Sequence, residues 1–226
     1  MKLQAHDPAE YLAGDGVIDL SHPSIKGLAS SLRAEHGDDT SFARAAFEYA
    51  PDVVRHSWDV QDPRVTLTAS ETLREGVGLC FAKAHLLTAL LRTQGIPSGL
   101  CYQRLTDDGS AFTVHGLVAV YLEGCWHRQD PRGNKPGVDA QFSLTTEQLA
   151  WPVATELGEQ DYPQLLVSPH PDVVAALRGA TDAFALSRGG LPSHLEPEFA
   201  GQRKRDRFYR SVTGQRSVTG HVDLES

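Results

Sequence analysis

Residues 76–97, GVGLCFAKAHLLTALLRTQGIP, pass from a glycine-rich turn into an apolar run that begins at Cys80. Between Cys80 and Thr93 only Lys83, His85, Thr88 and Arg92 interrupt apolar or small residues, and Gly95 and Pro97 follow as stop signals. The pattern predicts a central helix, buried over most of its surface, with Cys80 at its first turn. A thiol there is either a small core residue or a nucleophile. An unperturbed thiol, with a pKa of about 8.5, is mostly protonated at neutral pH, but the unpaired N–H groups of a helix start favour an anion.

The segments on the N-terminal side read as helical. Ile25, Leu28, Ala29 and Leu32 share one helical spacing; Phe42, Ala46, Tyr49 and Val53 share another, after a cap at Asp39, Thr40 or Ser41 and with Pro51 expected to kink or end it. Thr68 followed by Glu71 has the form of a capping box, and Gly76 closes the short helix it begins.

After Pro97 the period changes. GLCYQRL, AFTVHGLVAVYL and CWHRQD are rich in β-branched and aromatic residues, and TDDGS and EG separate them, so they read as antiparallel strands joined by hairpins. Helices followed by strands predict an α+β fold, with the Cys80 helix packed on an antiparallel sheet of at least three strands. DVVAALRG and TDAFALS are expected as short helices and GGLPSHLEPEFAGQ as linker. We expect one domain over 1–190, with its core at 40–140, and a weakly ordered tail over 191–226 that holds the basic cluster RKRDRFYR and two copies of RSVTG.

The register of the second hairpin brings two chemical groups together. A two-residue turn at Glu123 and Gly124 pairs Leu122 with Cys125 and sets Leu117 opposite Asp130. His115, two residues from Leu117 on the same face, then has Asp130 as a diagonal cross-strand neighbour. His127 pairs with Val120 and falls on the other face. His85 lies roughly 140° around the central helix from Cys80, at about 100° per residue, and is no partner for it. A histidine within an apolar strand is either a satisfied core residue or a base. With Cys80 and Asp130 it supplies the third member of a nucleophile, base and orienting-acid set.

Composition bounds the alternatives. A net charge of −8 over 226 residues argues against nucleic-acid binding as the main activity, and no apolar run is long enough to span a membrane. The start, MKLQAHDPAEYLAGDG, lacks the basic region and apolar stretch of a secretory signal, and three cysteines (Cys80, Cys101, Cys125) fit no disulfide or zinc spacing, so a cytoplasmic location is expected. No HExxH or comparable cluster is present, so a metal hydrolase is disfavoured and no metal or cofactor is expected.

The blocks GVGLCFAKAHLLTALLRTQGIPSGLCYQRL, VHGLVAVYL and WHRQDPRGN resemble those of bacterial transglutaminase-like proteins, a branch of the papain-like cysteine enzymes. The resemblance implies a papain-like core with Cys80 as nucleophile, His115 as general base and Asp130 as the acid that orients the histidine. It implies thioester chemistry on a peptide or protein amide, with release to water or an amine. Gly116 and Leu117 stand where many relatives carry a small residue and then tryptophan, and the Cys80 backbone N–H is the one oxyanion donor the sequence names. A binding module that keeps the fold without turnover is the alternative.

Overall fold

The computed structural model describes residues 1–196. Two amphipathic helices, α1 (Pro23–Glu35) and α2 (Asp39–Val53), precede a two-residue strand β1 (Arg55–His56). The cap of α2 is Asp38 rather than one of the next three residues; its carboxylate accepts the Ser41 N–H at 2.9 Å. Pro51 is held within the last turn of α2, and the helix ends two residues later.

Helix α3 (Ala69–Glu75) starts where Thr68 accepts the Glu71 N–H, and it ends at Gly76 with φ of +61°. The Glu71 carboxylate reaches back to the N–H of Leu67, one residue beyond the usual capping-box target. Strand β2 (Val77–Gly78) then pairs in parallel with β1, His56 opposite Gly78, and leads directly into α4 (Cys80–Thr93).

Every residue of α4 from Cys80 to Arg92 is buried, as the apolar pattern of 76–97 requires. Its polar side chains find partners deep in the domain. His85 Nδ1 bonds the Leu67 carbonyl at 2.8 Å, Lys83 Nζ donates to the Arg132 carbonyl at 2.9 Å, and Arg92 donates to the carbonyls of Ser98, Val167 and Ala13. Buried cations without such acceptors are costly, so these bonds are a condition of the helix lying where it does.

The fold is α+β, with α4 packed on a four-stranded antiparallel sheet in the order β5–β4–β3–β6. The strands are β3 (Ser98–Thr106), β4 (Phe112–Leu122), β5 (Cys125–Gln129) and β6 (Gln160–Asp161). Glu123 and Gly124 form the expected two-residue turn, both with positive φ (53° and 77°), and Leu122 pairs with Cys125. Both faces of the sheet are covered. Val114, Val118 and Val120 join the core around α4, while Cys101, Leu117 and Ala119 pack with Tyr11 and Leu165. Two buried faces explain why β4 reads as a nearly continuous apolar run rather than an alternation.

The C-terminal part adds α5 (Pro171–Gly179) and a single helical turn at Ala183–Ala185, at the places of the two short helices expected from sequence. Packing extends past residue 190, where the domain was expected to end. The Pro192 carbonyl accepts the Val114 N–H at 3.0 Å, Arg104 donates to the Ser193 carbonyl, and Leu195 is 3% exposed. The linker pattern of GGLPSHL thus marks a chain without regular structure that is nevertheless fixed by the polar edges of β3 and β4. The basic cluster and the RSVTG copies lie outside the described residues.

Candidate active site

Cys80 opens α4 with no side chain capping the helix start, so its backbone N–H and the next ones are unclaimed by a side-chain cap. The residue is buried but not sealed, with 8% of its surface exposed. Gly116 secures the approach of the helix to β4. A Cβ at that position would stand 2.8 Å from Cδ1 of Phe81, the neighbour of Cys80.

His115 lies on β4, the strand between β3 and β5, and Asp130 follows the last residue of β5. The ladder runs to Val118 opposite Gln129, so Asp130 is the next residue out and its carboxylate reaches diagonally to the ring. His115 Nε2 and Asp130 Oδ2 are 2.9 Å apart, and both residues are buried. An ionised carboxylate only accepts, so Nε2 carries a proton, and Nδ1 is the nitrogen left for Cys80. The Cys80 side chain contributes to the raised pKa of this ring.

Asp130 is fully buried and firmly held. Oδ1 accepts the Arg132 N–H at 3.0 Å, and Oδ2 accepts the Ala150 N–H at 3.0 Å as well as the histidine. Burial works to raise its carboxyl pKa, but the His115 charge and these hydrogen bonds overcome it and hold the pKa below the ordinary carboxylate range. For His115 burial disfavours the cation, yet Asp130 and then Cys80 outweigh that penalty and the pKa is raised.

A second ring of residues surrounds the three. Trp151 meets the His115 ring edge to face, centroids 5.0 Å apart, and the Arg132 guanidinium lies 5.6 Å from the Trp151 ring. Arg132 itself donates to Asp59 Oδ1 at 2.7 Å. Lys83, one turn along α4 from Cys80, ties that helix to the loop after Asp130 through its bond to the Arg132 carbonyl. Burial, and next the Arg132 charge, lower the Lys83 pKa to about 8. Sequence reading singled out none of these as site residues. Trp151 and Ala150 are far along the chain from His115 and carry no motif, whereas Lys83 was visible as a charge inside an apolar helix.

His85 and His127, set aside on register and helix geometry, are indeed engaged elsewhere: His127 Nε2 bonds the Leu122 carbonyl at 3.2 Å. Cys101 is fully buried on β3, and burial pushes its thiol up to about 12; Cys125 is exposed at the start of β5. Among the described residues no cluster of three or more histidine, cysteine or acidic side chains is placed to hold a metal ion.

Residues 26–131, which include Cys80, His115 and Asp130, match the family model of the transglutaminase-like superfamily. Over those residues the chain is similar to a transglutaminase-like domain. The match begins before the expected core at residue 40 and takes in most of α1, but it stops short of Ala150 and Trp151. Among solved structures the chain is similar to a Cytophaga hutchinsonii protein proposed as a cysteine protease, at 20% identity and a TM-score of 0.45, over 57% of this chain and 43% of that one. It is likewise similar to the periplasmic domain of TgpA from Pseudomonas aeruginosa, at 20% identity and a TM-score of 0.42, over 56% of this chain and 48% of that one. The chain thus spans less than half the length of either. No curated protein gives a significant match.

Proposed function

We propose that the protein is a thiol-dependent amidase or acyltransferase that acts on a peptide or protein amide through a thioester at Cys80. The observation that carries this reading is the buried His115–Asp130 pair, 2.9 Å apart, with the ring under the influence of Cys80 at an uncapped helix start. In this reading the Cys80 proton already resides on His115 Nδ1, in line with the raised pKa of that ring, and sulfur attacks the amide carbonyl carbon. The tetrahedral oxyanion collapses as the C–N bond breaks, and His115 returns the proton to the leaving amine. Water or a second amine then attacks the thioester, His115 takes its proton, and the thiol is regenerated. Asp130 keeps the ring oriented and stabilises its charge without itself taking the proton.

No metal or cofactor enters these steps. The three unpaired cysteines support a reducing compartment, and we assign the protein to the cytoplasm. The test is mass spectrometry of the full chain after brief exposure to an activated ester or a peptide amide. An acyl adduct at Cys80 that hydroxylamine removes, together with loss of turnover in Cys80→Ala, is the expected result. A wild-type protein that forms no adduct and turns over no amide is the binding module instead.

A further inference from the structure

His56 lies on β1 in register with Gly78, two residues before the Cys80 thiol, and the N–H of Ser57 bonds the Gly78 carbonyl at 3.2 Å. Its side chain is almost entirely buried, 7% exposed, with the ring edge to face against Trp58 at 5.7 Å. Nδ1 is sealed from solvent and has no hydrogen-bond partner. Nε2 also lacks a partner among the described residues, but unlike Nδ1 it is not sealed. An imidazole in a packed interior normally satisfies at least one nitrogen, as His85 and His115 do here.

The environment decides where the proton sits. Burial, followed by the charge of Arg132, lowers the His56 pKa to about 3, so the ring is neutral across the working range. Lys83 and His115 also disfavour the cation, and the Asp59 carboxylate favours it without prevailing. A proton on sealed Nδ1 would be a buried donor with no acceptor, facing a surplus of positive charge. A lone pair there is the less costly choice, and the proton belongs on Nε2. The result is a neutral N–H donor, on a strand paired with the residues that lead into Cys80, for which the described residues supply no acceptor.

We propose that His56 Nε2–H is the side-chain donor that, with the Cys80 backbone N–H, stabilises the oxyanion formed when sulfur adds to a carbonyl. The assignment rests on the thioester reading above. It makes the vacant Nε2–H a preorganised group whose acceptor arrives only with the reacting carbonyl oxygen.

Two reactions of Cys80 in the full chain separate the possibilities, because ester acylation passes through an oxyanion and iodoacetamide alkylation does not. His56→Phe keeps the ring volume and the contact with Trp58 while removing the donor. It should slow acylation by an activated ester about 10²- to 10³-fold, the effect of losing one oxyanion donor, and leave alkylation within about threefold of wild type. His56→Gln, with an amide N–H in place of the ring donor, should recover at least about tenfold of the lost acylation rate, and it also serves if the phenylalanine variant does not fold. Equal acylation in wild type and His56→Phe overturns the assignment, and so does a matched fall in both reactions. A wild-type Cys80 that alkylates but never acylates overturns the thioester reading itself and this assignment with it.

Discussion

Trp151 stands edge-on to the His115 imidazole, the two ring planes at 85° and their centroids 5.0 Å apart. The relationship answers a question left by Gly116 and Leu117, which occupy the place where many resembling proteins have a tryptophan. Leu117 packs with Tyr11 and Leu165 in the second core. The aromatic contact to His115 comes instead from a loop residue next to Ala150, whose N–H is bonded to Asp130. One short segment therefore fixes both the acid and the ring it orients.

Trp151→Ala should cost about 1 kcal/mol of stability from the lost aromatic pair and reduce turnover roughly tenfold, because the imidazole gains freedom to leave the Asp130 direction. Trp151→Phe should restore most of the activity. Steady-state kinetics with a fluorogenic amide would check it, and unchanged kcat in the alanine variant would show that Trp151 only covers the site.

The proton on His115 is held by Asp130 against burial, which gives a signed pH dependence. Because the folded pKa is raised from 6.5 to about 10, the contribution of this group to stability is complete below pH 6.5 and is lost as pH rises toward 10. Chemical denaturation of wild type and His115→Gln should show their difference shrinking over that range. Asp130→Asn should lower the His115 pKa, read by NMR of the ring protons, and should reduce turnover less than His115→Ala does.

Gly116→Ala probes the contact between helix and sheet. The new Cβ would meet Phe81 Cδ1 at 2.8 Å and the Phe81 Cα at 3.4 Å, so the first turn of α4 must shift. Overpacking of this kind costs about 1–3 kcal/mol, and here it moves the residue adjacent to the thiol. The expected outcome is a folded protein with a lowered melting temperature and Cys80 acylation slowed more than tenfold.

The legible parts of the sequence are those where one local rule has one solution. The apolar run after Cys80, the Thr68 cap and Gly76 stop, and the hairpin at Glu123 and Gly124 each follow from short-range chemistry, and the hairpin register alone brought Asp130 to His115. His56, Trp151 and Ala150 were not legible because their placement depends on contacts between segments far apart in the chain. The β1–β2 pairing is only two residues long and carries no alternation, so nothing in RHSWD signals that His56 returns to the start of α4. The packed stretch 191–195 was hidden for a different reason: it is held by hydrogen bonds from Val114 and Arg104 to its carbonyls, which any sequence can supply.

Lys83 allows the electrostatic cost of the site to be measured separately from its chemistry. Its ammonium is buried and donates to the Arg132 carbonyl, and its pKa is lowered from 10.5 to about 8 by burial, then by Arg132. A folded pKa below the unfolded one means that the unfolded chain binds more protons between those values, so this group's contribution to stability rises with pH from about 8 to 10.5. The direction is opposite to that of His115 over much of the same range, and whole-protein curves would hide both. Comparing wild type with Lys83→Met cancels the His115 contribution to first order. The stability of wild type relative to the variant should be lowest below pH 8 and increase as pH approaches 10.5, read by urea denaturation at several pH values. Lys83→Met also removes the bond that ties α4 to the loop after Asp130, so amide turnover should fall even at pH 7.5. A variant with full activity and a pH-independent stability difference would show that Lys83 neither pins the loop nor carries a buried charge.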